Sequence, residues 1–406
     1  MEASPTDTVM SRPQAVDTVL PVIFAVSFCH LLNDMMQALL PAIYPNLKGE
    51  LGLNFTQIGI ITLSYQLTAS ILQPLIGFYG DRRPMPLALP GGTLFSLSGL
   101  LVLSLAHTFA LLLLGACLLG MGSSIFHPEC SRVVRMAAGQ RAGLAQSLFQ
   151  VGGNLGSALG PLAAAIVVMR WGQGSLATLG LLAVLSCAVL WNVGVWYRHH
   201  GLARLNHSRK AHAARALPKG VAGRGIALLL AMIFSKYIYL ASLTSYLTFY
   251  LMAHFNVSVG TAQIYLFVFL GAVAAGTFFG GPIGDRIGRK YVIWVSILGV
   301  LPFTLLLPHV PLIWVGGLSV IIGLLLASAF PAIVVFAQEL VPGNVGMISG
   351  LFFGFSFGMG GIGAAVLGWM ADKWGLDMVF QICAFLPAIG ILAAWLPDMG
   401  KREKQA

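Results

Sequence analysis

Long apolar runs separated by short polar breaks recur along the whole chain, from Pro21–Tyr44 through to Phe380–Leu396. A helical crossing of a lipid core needs about 20 mainly apolar residues. Runs of that order fall near residues 21–44, 56–78, 87–106, 109–136, 143–168, 175–197, 226–252, 258–280, 290–308, 312–340, 346–370 and 378–396. The pattern predicts an all-α integral membrane protein with twelve transmembrane helices. Runs longer than one span are expected to tilt.

The polar breaks are not random. GFYGDR at Gly77–Arg82 and GPIGDR at Gly281–Arg286 lie 204 residues apart, each between two apolar runs. Pro128 in FHPEC and Pro331 in AFPAI repeat the register, both in the fourth run of their half, and Gly143 and Gly346 repeat it again before Gly-rich fifth runs. The expected architecture is two pseudo-symmetric six-helix bundles, residues 1–197 and 226–406, joined by a basic linker at 198–225.

Composition supports a membrane setting: 57% of residues are hydrophobic and only 9% charged, against about 25% charged in soluble domains. The formal charge of +10 would suit nucleic acid, so the placement of Lys and Arg decides. With the N-terminus put in the cytoplasm, nineteen of the 23 basic residues fall on that side, Lys48, Arg170 and Lys373 fall opposite, and Lys236 lies inside a run. That asymmetry is the positive-inside signature of an even number of crossings with both termini cytoplasmic, and it leaves no nucleic-acid partner to invoke. The five cysteines have no CxxC spacing, so neither a disulfide framework nor a metal site is expected. The first twenty residues lack the signature of a signal peptide and read as a short cytoplasmic tail.

In the loop GGPIGDRIGRKYVIW, the glycines let two helix ends approach closely. A carboxylate at Asp285 can then accept hydrogen bonds from a neighbouring helix N-terminus and from Arg286 or Arg289. This loop resembles the signature of the major facilitator superfamily, Gly-x-x-x-Asp-Arg-x-Gly-Arg-Lys, matched by Gly281, Asp285, Arg286, Gly288, Arg289 and Lys290. The first copy keeps Gly77, Asp81 and Arg82 but has Arg83-Pro84-Met85 where the family has x-Gly-Arg, so a weaker first gate is expected. The resemblance implies two bundles around a midplane cavity that opens alternately to each side. GSALGP, with Gly156, Gly160 and Pro161, resembles part of the fifth-helix signature of the antiporter branch, although Ala164 and Ala165 replace its closing Gly pair.

The strings SFCHLLNDMMQ, GSSIFHPE, AQSLFQVGGN, FSKY, AQELVPG and SGLFFGF are similar to those of bacterial fosmidomycin resistance proteins. This resemblance implies a monomeric exporter of the bacterial inner membrane, surrounded by lipid. It would carry the phosphonate hydroxamate fosmidomycin or a related small anion against inward protons, without a cofactor. A symporter importing an anionic metabolite and a membrane receptor that moves nothing are the rival readings. No nucleophile–base set supports an enzyme.

An ionisable group inside a span is a functional candidate by default. His30, Asn33 and Asp34 stand at i, i+3 and i+4 and share a helix face. Asp34 can load and release a proton as its surroundings open to water, with His30 tuning or sharing it, or it can simply fix helix packing. His127 and Glu129 flank Pro128, and Glu129 is either a second proton carrier or the partner of Arg132 in a structural salt bridge. Lys236 suits a phosphonate or carboxylate and can alternate between substrate and Asp34, or it can snorkel. His127, Arg132, Asn33, Gln150, Asn154 and Tyr237 complete the expected substrate set, with Tyr239, Tyr246 and Tyr250 as further hydrogen-bonding candidates.

Overall fold

The computed structural model describes residues 17–53, 55–203 and 217–398. Its principal elements are helices α1 (Leu20–Ala42), α2 (Phe55–Arg82), α3 (Ala88–Ser104), α4 (Phe109–Ala137), α5 (Ala142–Ala163) and α6 (Leu176–Trp196) in the first half. The second half has α7 (Lys219–Phe255), α8 (Val259–Ile287), α9 (Arg289–Ile297), α10 (Leu312–Leu340), α11 (Val345–Trp374) and α12 (Leu376–Ala384), the last continued by a 3-10 segment, Leu386–Trp395. Among the described residues, eleven helical runs are long and apolar enough to cross a membrane, one fewer than the pattern predicts. The exception, α3, has 17 residues, roughly 25 Å at 1.5 Å per residue against a core of about 30 Å.

The other departures from expectation are local. Residues Tyr44–Leu51 form a short helix in the break after α1, burying Leu47. The expected linker is helical at both ends: a π-turn, Tyr197–Gly201, extends α6, and α7 begins at Lys219 behind Pro218. A proline just ahead of a helix removes no helical hydrogen bond, because the first N–H groups have no intrahelical partner anyway. Arg204, Arg209, Lys210 and Arg215 of the linker lie outside the described residues, as do Arg12, Lys401, Arg402 and Lys404 of the terminal segments. Pro128 and Pro331 are both carried inside unbroken helices.

Large apolar side chains point outward along the bundle, among them Phe267 and Ile313, which are 76% and 79% exposed. In water such a surface would aggregate; in a bilayer it faces lipid. Inside, the packing is uneven along the bundle. One buried cluster draws on both halves, joining Val26, Phe126 and Phe149 to Phe330, Phe336 and Phe353. Two further clusters are confined to single halves, one around Met36, Leu100 and Leu119 and one around Leu247, Phe269 and Phe380.

The same asymmetry shows where α2 lies against α11. A Cβ placed on Gly346, Gly350 or Gly354 would strike side chain or backbone across the interface. At Gly358 and Gly361 the nearest atoms are 4.0 and 3.8 Å away. The halves therefore grip each other at the end where α2, α4, α8 and α10 finish and α5 and α11 begin, and part towards the other end.

Candidate functional site

Three groups of polar side chains stand out inside this apolar frame. The first is at the gripped end. Asp81, in the last turn of α2, accepts hydrogen bonds from the Gly346 and Met347 N–H groups at 2.9 and 2.8 Å. Asp285, in the last turn of α8, accepts from the Gly143 and Leu144 N–H groups, both at 2.9 Å. Each carboxylate thus caps, from the opposite half, the first turn of a helix whose N–H groups have no partner within it. Glycine is required beside each cap: Gly77 meets Gly346, and Gly281 meets Gly143, at backbone contact where no Cβ fits.

The guanidinium that steadies each cap differs between the copies. At Asp285 it is Arg289 of the same motif, whose Nη2 donates at 3.0 Å while Nη1 reaches Glu339 at the end of α10; Arg135 of α4 joins Glu339 at 3.5 Å. At Asp81 it is Arg132 of α4, with Nε donating at 3.0 Å, Nη2 to the Gly77 carbonyl at 2.9 Å, and Nη1 to Glu129. Arg132 and Glu129 are fully buried. Arg132 was expected at the substrate, and Glu129 either as a proton carrier or as the partner of Arg132 in a salt bridge; the structure has that salt bridge, within this clasp, because α4 turns their shared face towards α2. Arg82 and Arg286, expected in the gate, lie outside it: each is exposed, and Arg82 sits 3.6 Å over the Phe78 ring. Neighbouring residues on a helix do not share a face, so Asp81 and Arg82 cannot both point inward.

The second group is buried between α1, α4 and α5. His30 Nε2 lies 3.3 Å from Asp34 Oδ2, and His127 Nε2 lies 3.6 Å from Asp34 Oδ1. The other nitrogen of each ring faces a backbone carbonyl: His30 Nδ1 meets Phe149 O at 2.6 Å, and His127 Nδ1 meets Ser123 O at 3.0 Å. Asn33 Nδ2 donates to Asp34 Oδ1 at 3.0 Å. His127 and Asn33, expected at the substrate, are thus gathered at Asp34. Phe149 stacks on His30 with centroids 4.0 Å apart, and Phe353 and Phe357 of α11 close on His127 at 5.1 and 5.3 Å. The donor atoms of His30, Asp34 and His127 lie within 4.8 Å of one another, the one group among the described residues with a spacing and donor set that a small cation can share.

The third group lines a cavity of about 40 Å³ between the halves, walled by Gln150 and Asn154 of α5, Lys236 and Tyr237 of α7, Thr277 of α8 and Phe330 of α10. That is room for water rather than for a drug-sized molecule. Asn154 Nδ2 bridges to Thr277 Oγ1 at 3.2 Å, and Gln150 Oε1 has no hydrogen-bond donor. Lys236 is 4% exposed, with Nζ 5.2 Å from the centroids of both Tyr237 and Phe330. No carboxylate of the described residues lies within ion-pair distance of it, Asp34 included. Tyr246 is bonded to the Ala364 carbonyl, Tyr250 is stacked on Phe380 and Tyr239 is buried in the core, so of the four expected tyrosines only Tyr237 reaches the cavity.

The sequence model of the Major Facilitator Superfamily matches residues 26–364 and, separately, residues 226–406. The chain belongs to that superfamily. It is a transporter rather than an enzyme, and a multi-pass membrane protein, which in bacteria places it in the inner membrane. It is 56% identical over 382 residues to a fosmidomycin resistance protein of Escherichia coli K12, covering 94% of each chain. It is also 43% identical over 390 residues to an uncharacterised transporter of the superfamily from Bacillus subtilis, covering 95% of each. The fold matches a fucose:proton symporter of E. coli in its outward conformation, with a TM-score of 0.72, 17% identity and 94% and 99% of the two chains covered. A human organic anion transporter matches with a TM-score of 0.70, 18% identity and 94% and 100% coverage.

Within this family frame, several polar contacts went unnoticed in the sequence. Ser131 donates to Ser349 Oγ at 2.9 Å, and Gln338 Nε2 reaches the same oxygen at 2.9 Å, a buried link between α4, α10 and α11. Glu339 is the acid of the second clasp. The legible signal for both was an acid and an amide, Gln338-Glu339, ending an otherwise apolar tenth run.

Proposed function

We propose that this transporter exports small anions of the fosmidomycin type from the cytoplasm, each exchanged for inward-moving protons, by opening the cavity between its halves alternately to the two sides. Twelve crossings with α3 as the third, cytoplasmic termini, bundles at 1–197 and 226–406 and a monomer in lipid complete the reading. The gripped end is cytoplasmic, since Arg132, Arg135, Arg141, Arg286, Arg289 and Lys290 gather there.

The observation that carries the anion is Lys236. A buried ammonium with no anionic partner is costly, and two aromatic rings offset only part of that cost, about 0.5–2 kcal/mol each. A phosphonate entering beside Lys236 supplies the missing charge. The hydroxamate hydroxyl of the same molecule supplies the donor that Gln150 Oε1 lacks. An inside-negative potential favours both the departing anion and the entering proton by about 2.3 kcal/mol per charge per 100 mV. Asp34, His30 and, in reserve, Glu129 are the proton-coupling residues, and the two clasps hold the cytoplasmic side shut.

The test is fosmidomycin uptake into proteoliposomes under an imposed pH gradient. Antiport predicts accumulation when the lumen is acid and none when the outside is acid; the reverse result would make the protein a symporter, and no flux at all would end the transport reading. Lys236→Ala is expected to weaken fosmidomycin binding at least tenfold with the protein still folded. Unchanged affinity in that variant would remove the anion site from Lys236.

A further inference from the structure

We infer that the exchanged protons are seated on the imidazoles of His30 and His127, with Asp34 as their permanent counter-ion, so that the coupling site is a His–Asp–His triad with two seats. The inference rests on the proton exchange proposed above and names the atoms that perform it.

The argument begins with the ring nitrogens that do not face Asp34. A backbone carbonyl only accepts, so His30 Nδ1 at 2.6 Å from Phe149 O carries hydrogen, and so does His127 Nδ1, whose shorter contact is the Ser123 carbonyl at 3.0 Å and whose longer one, the Ser123 hydroxyl at 3.3 Å, can accept as well. In their neutral forms both rings therefore present a bare Nε2, and neither Nε2 has a hydrogen-bond partner of its own. These two lone pairs converge on a carboxylate, itself an acceptor, at 3.3 and 3.6 Å. Three acceptors facing one another in a buried site repel, so the cluster is complete only when protons enter it.

Where they sit follows from counting contacts. A proton on Asp34 can be donated to one imidazole and leaves the other Nε2 facing an acceptor. A proton on each Nε2 satisfies both contacts, because His30 addresses Oδ2 and His127 addresses Oδ1. Asn33 Nδ2 donates to Oδ1 as well, which again suits an ionised carboxylate. The remaining neighbours bring no competing charge: Tyr65 of α2 spends its hydroxyl on Gln37 Oε1 at 2.5 Å, α5 and α11 offer the Phe149, Phe353 and Phe357 rings, and Glu129 is engaged by Arg132.

The triad also touches the anion cavity through one helix. The Phe149 carbonyl that holds His30 precedes Gln150 directly, and a Cβ on Gly153 would press on His30 Nε2 and Asp34 Oδ2 at 2.5 and 2.7 Å. Gln150 and Asn154 on the same stretch of α5 line the cavity beside Lys236. Filling or emptying the triad thus acts on the wall of the substrate site.

Transport with fosmidomycin in proteoliposomes tests this. The protons moved per substrate are measured from the accumulation reached at a fixed pH gradient, alongside counterflow without a gradient. His127→Gln and His30→Gln are each expected to halve the proton count, and the double variant to lose gradient-driven accumulation while keeping counterflow. Uphill transport surviving in the double variant, or counterflow falling in step with it, would overturn the assignment. Because a variant can fail to fold, nitrogen-15 NMR of histidine-labelled wild-type protein is the second measurement. Both rings should carry hydrogen on Nδ1 at every pH and gain it on Nε2 on acidification, while an infrared band of protonated carboxyl, absent in Asp34→Asn, would contradict it. A zinc ion retained in stoichiometric amount through purification would also overturn it. If wild-type protein moves no protons, the exchange reading fails instead, and the NMR result still decides where the triad is protonated.

Discussion

The two clasps do the same job with different parts. In the second half Asp285 is steadied by Arg289, four residues on, and the side chains of that cluster remain 13–21% exposed. In the first half the steadying arginine comes from another helix, and Asp81, Glu129 and Arg132 are at most 4% exposed. The motif copy that looks worn in the sequence makes the more buried contact. A missing motif residue therefore says little about the strength of the contact it once served, because a neighbouring helix can supply the same chemistry. On this geometry the first copy, rather than the second, is expected to contribute more to the gate.

The largest effect is expected from removing the borrowed arginine. Arg132→Ala leaves two buried carboxylates without a counter-ion, a loss of about 3–5 kcal/mol for a broken buried pair, or roughly a hundred- to few-thousand-fold shift away from the closed cytoplasmic side. Arg289→Ala leaves Asp285 its two N–H donors in a partly wet site and should cost about 1 kcal/mol or less. Maleimide reaction at Ser349→Cys, which is buried between the halves, reads the opening in protein freed of its five native cysteines. Equal reactivity in the two arginine variants would break the comparison.

The carboxylates give the middle effect. Asparagine keeps one oxygen and loses the charge, so each of Asp81→Asn and Asp285→Asn should cost about 1.5–3 kcal/mol, the worth of a hydrogen bond to a charged group. The buried site should sit at the upper end of that range and the wetter one at the lower, so Asp81→Asn should open the gate several-fold further on the same cysteine assay. The opposite order would restore the ranking that the motif alone suggests.

What the sequence made legible follows physical range. The apolar spans and the two helix-capping carboxylates were readable because hydrophobic length, a 204-residue repeat and glycine at helix contacts are local or periodic signals. Asp34 and His30 were readable as a pair because four residues on a helix set their contact. That His127 completes their cluster from 93 residues away, or that Arg132 serves Asp81, depends on how α4 is rotated against α1 and α2, and the residues alone carry no such angle. The uniformly apolar spans hide helix rotation most thoroughly, since an amphipathic stripe is what usually reveals it.

The smallest expected effect tests why the first copy needed to borrow at all. In the 204-residue register Pro84 stands where Gly288 is, and Met85 where Arg289 is. Gly288 has φ of +98°, a conformation that turns the chain between α8 and α9 and brings Arg289 back beside Asp285. Proline is locked near −65° and cannot make that turn. Met85→Arg alone should therefore do nothing for an Arg132→Ala protein, because the new guanidinium leaves α2 in the wrong direction. Pro84→Gly with Met85→Arg should close part of the gap, by about 1 kcal/mol or less as befits a solvent-reachable pair, and lower cysteine reactivity by a fewfold. Rescue by Met85→Arg without the glycine would mean that charge near the rim suffices, and that the backbone at position 84 had no part in the divergence of the two copies.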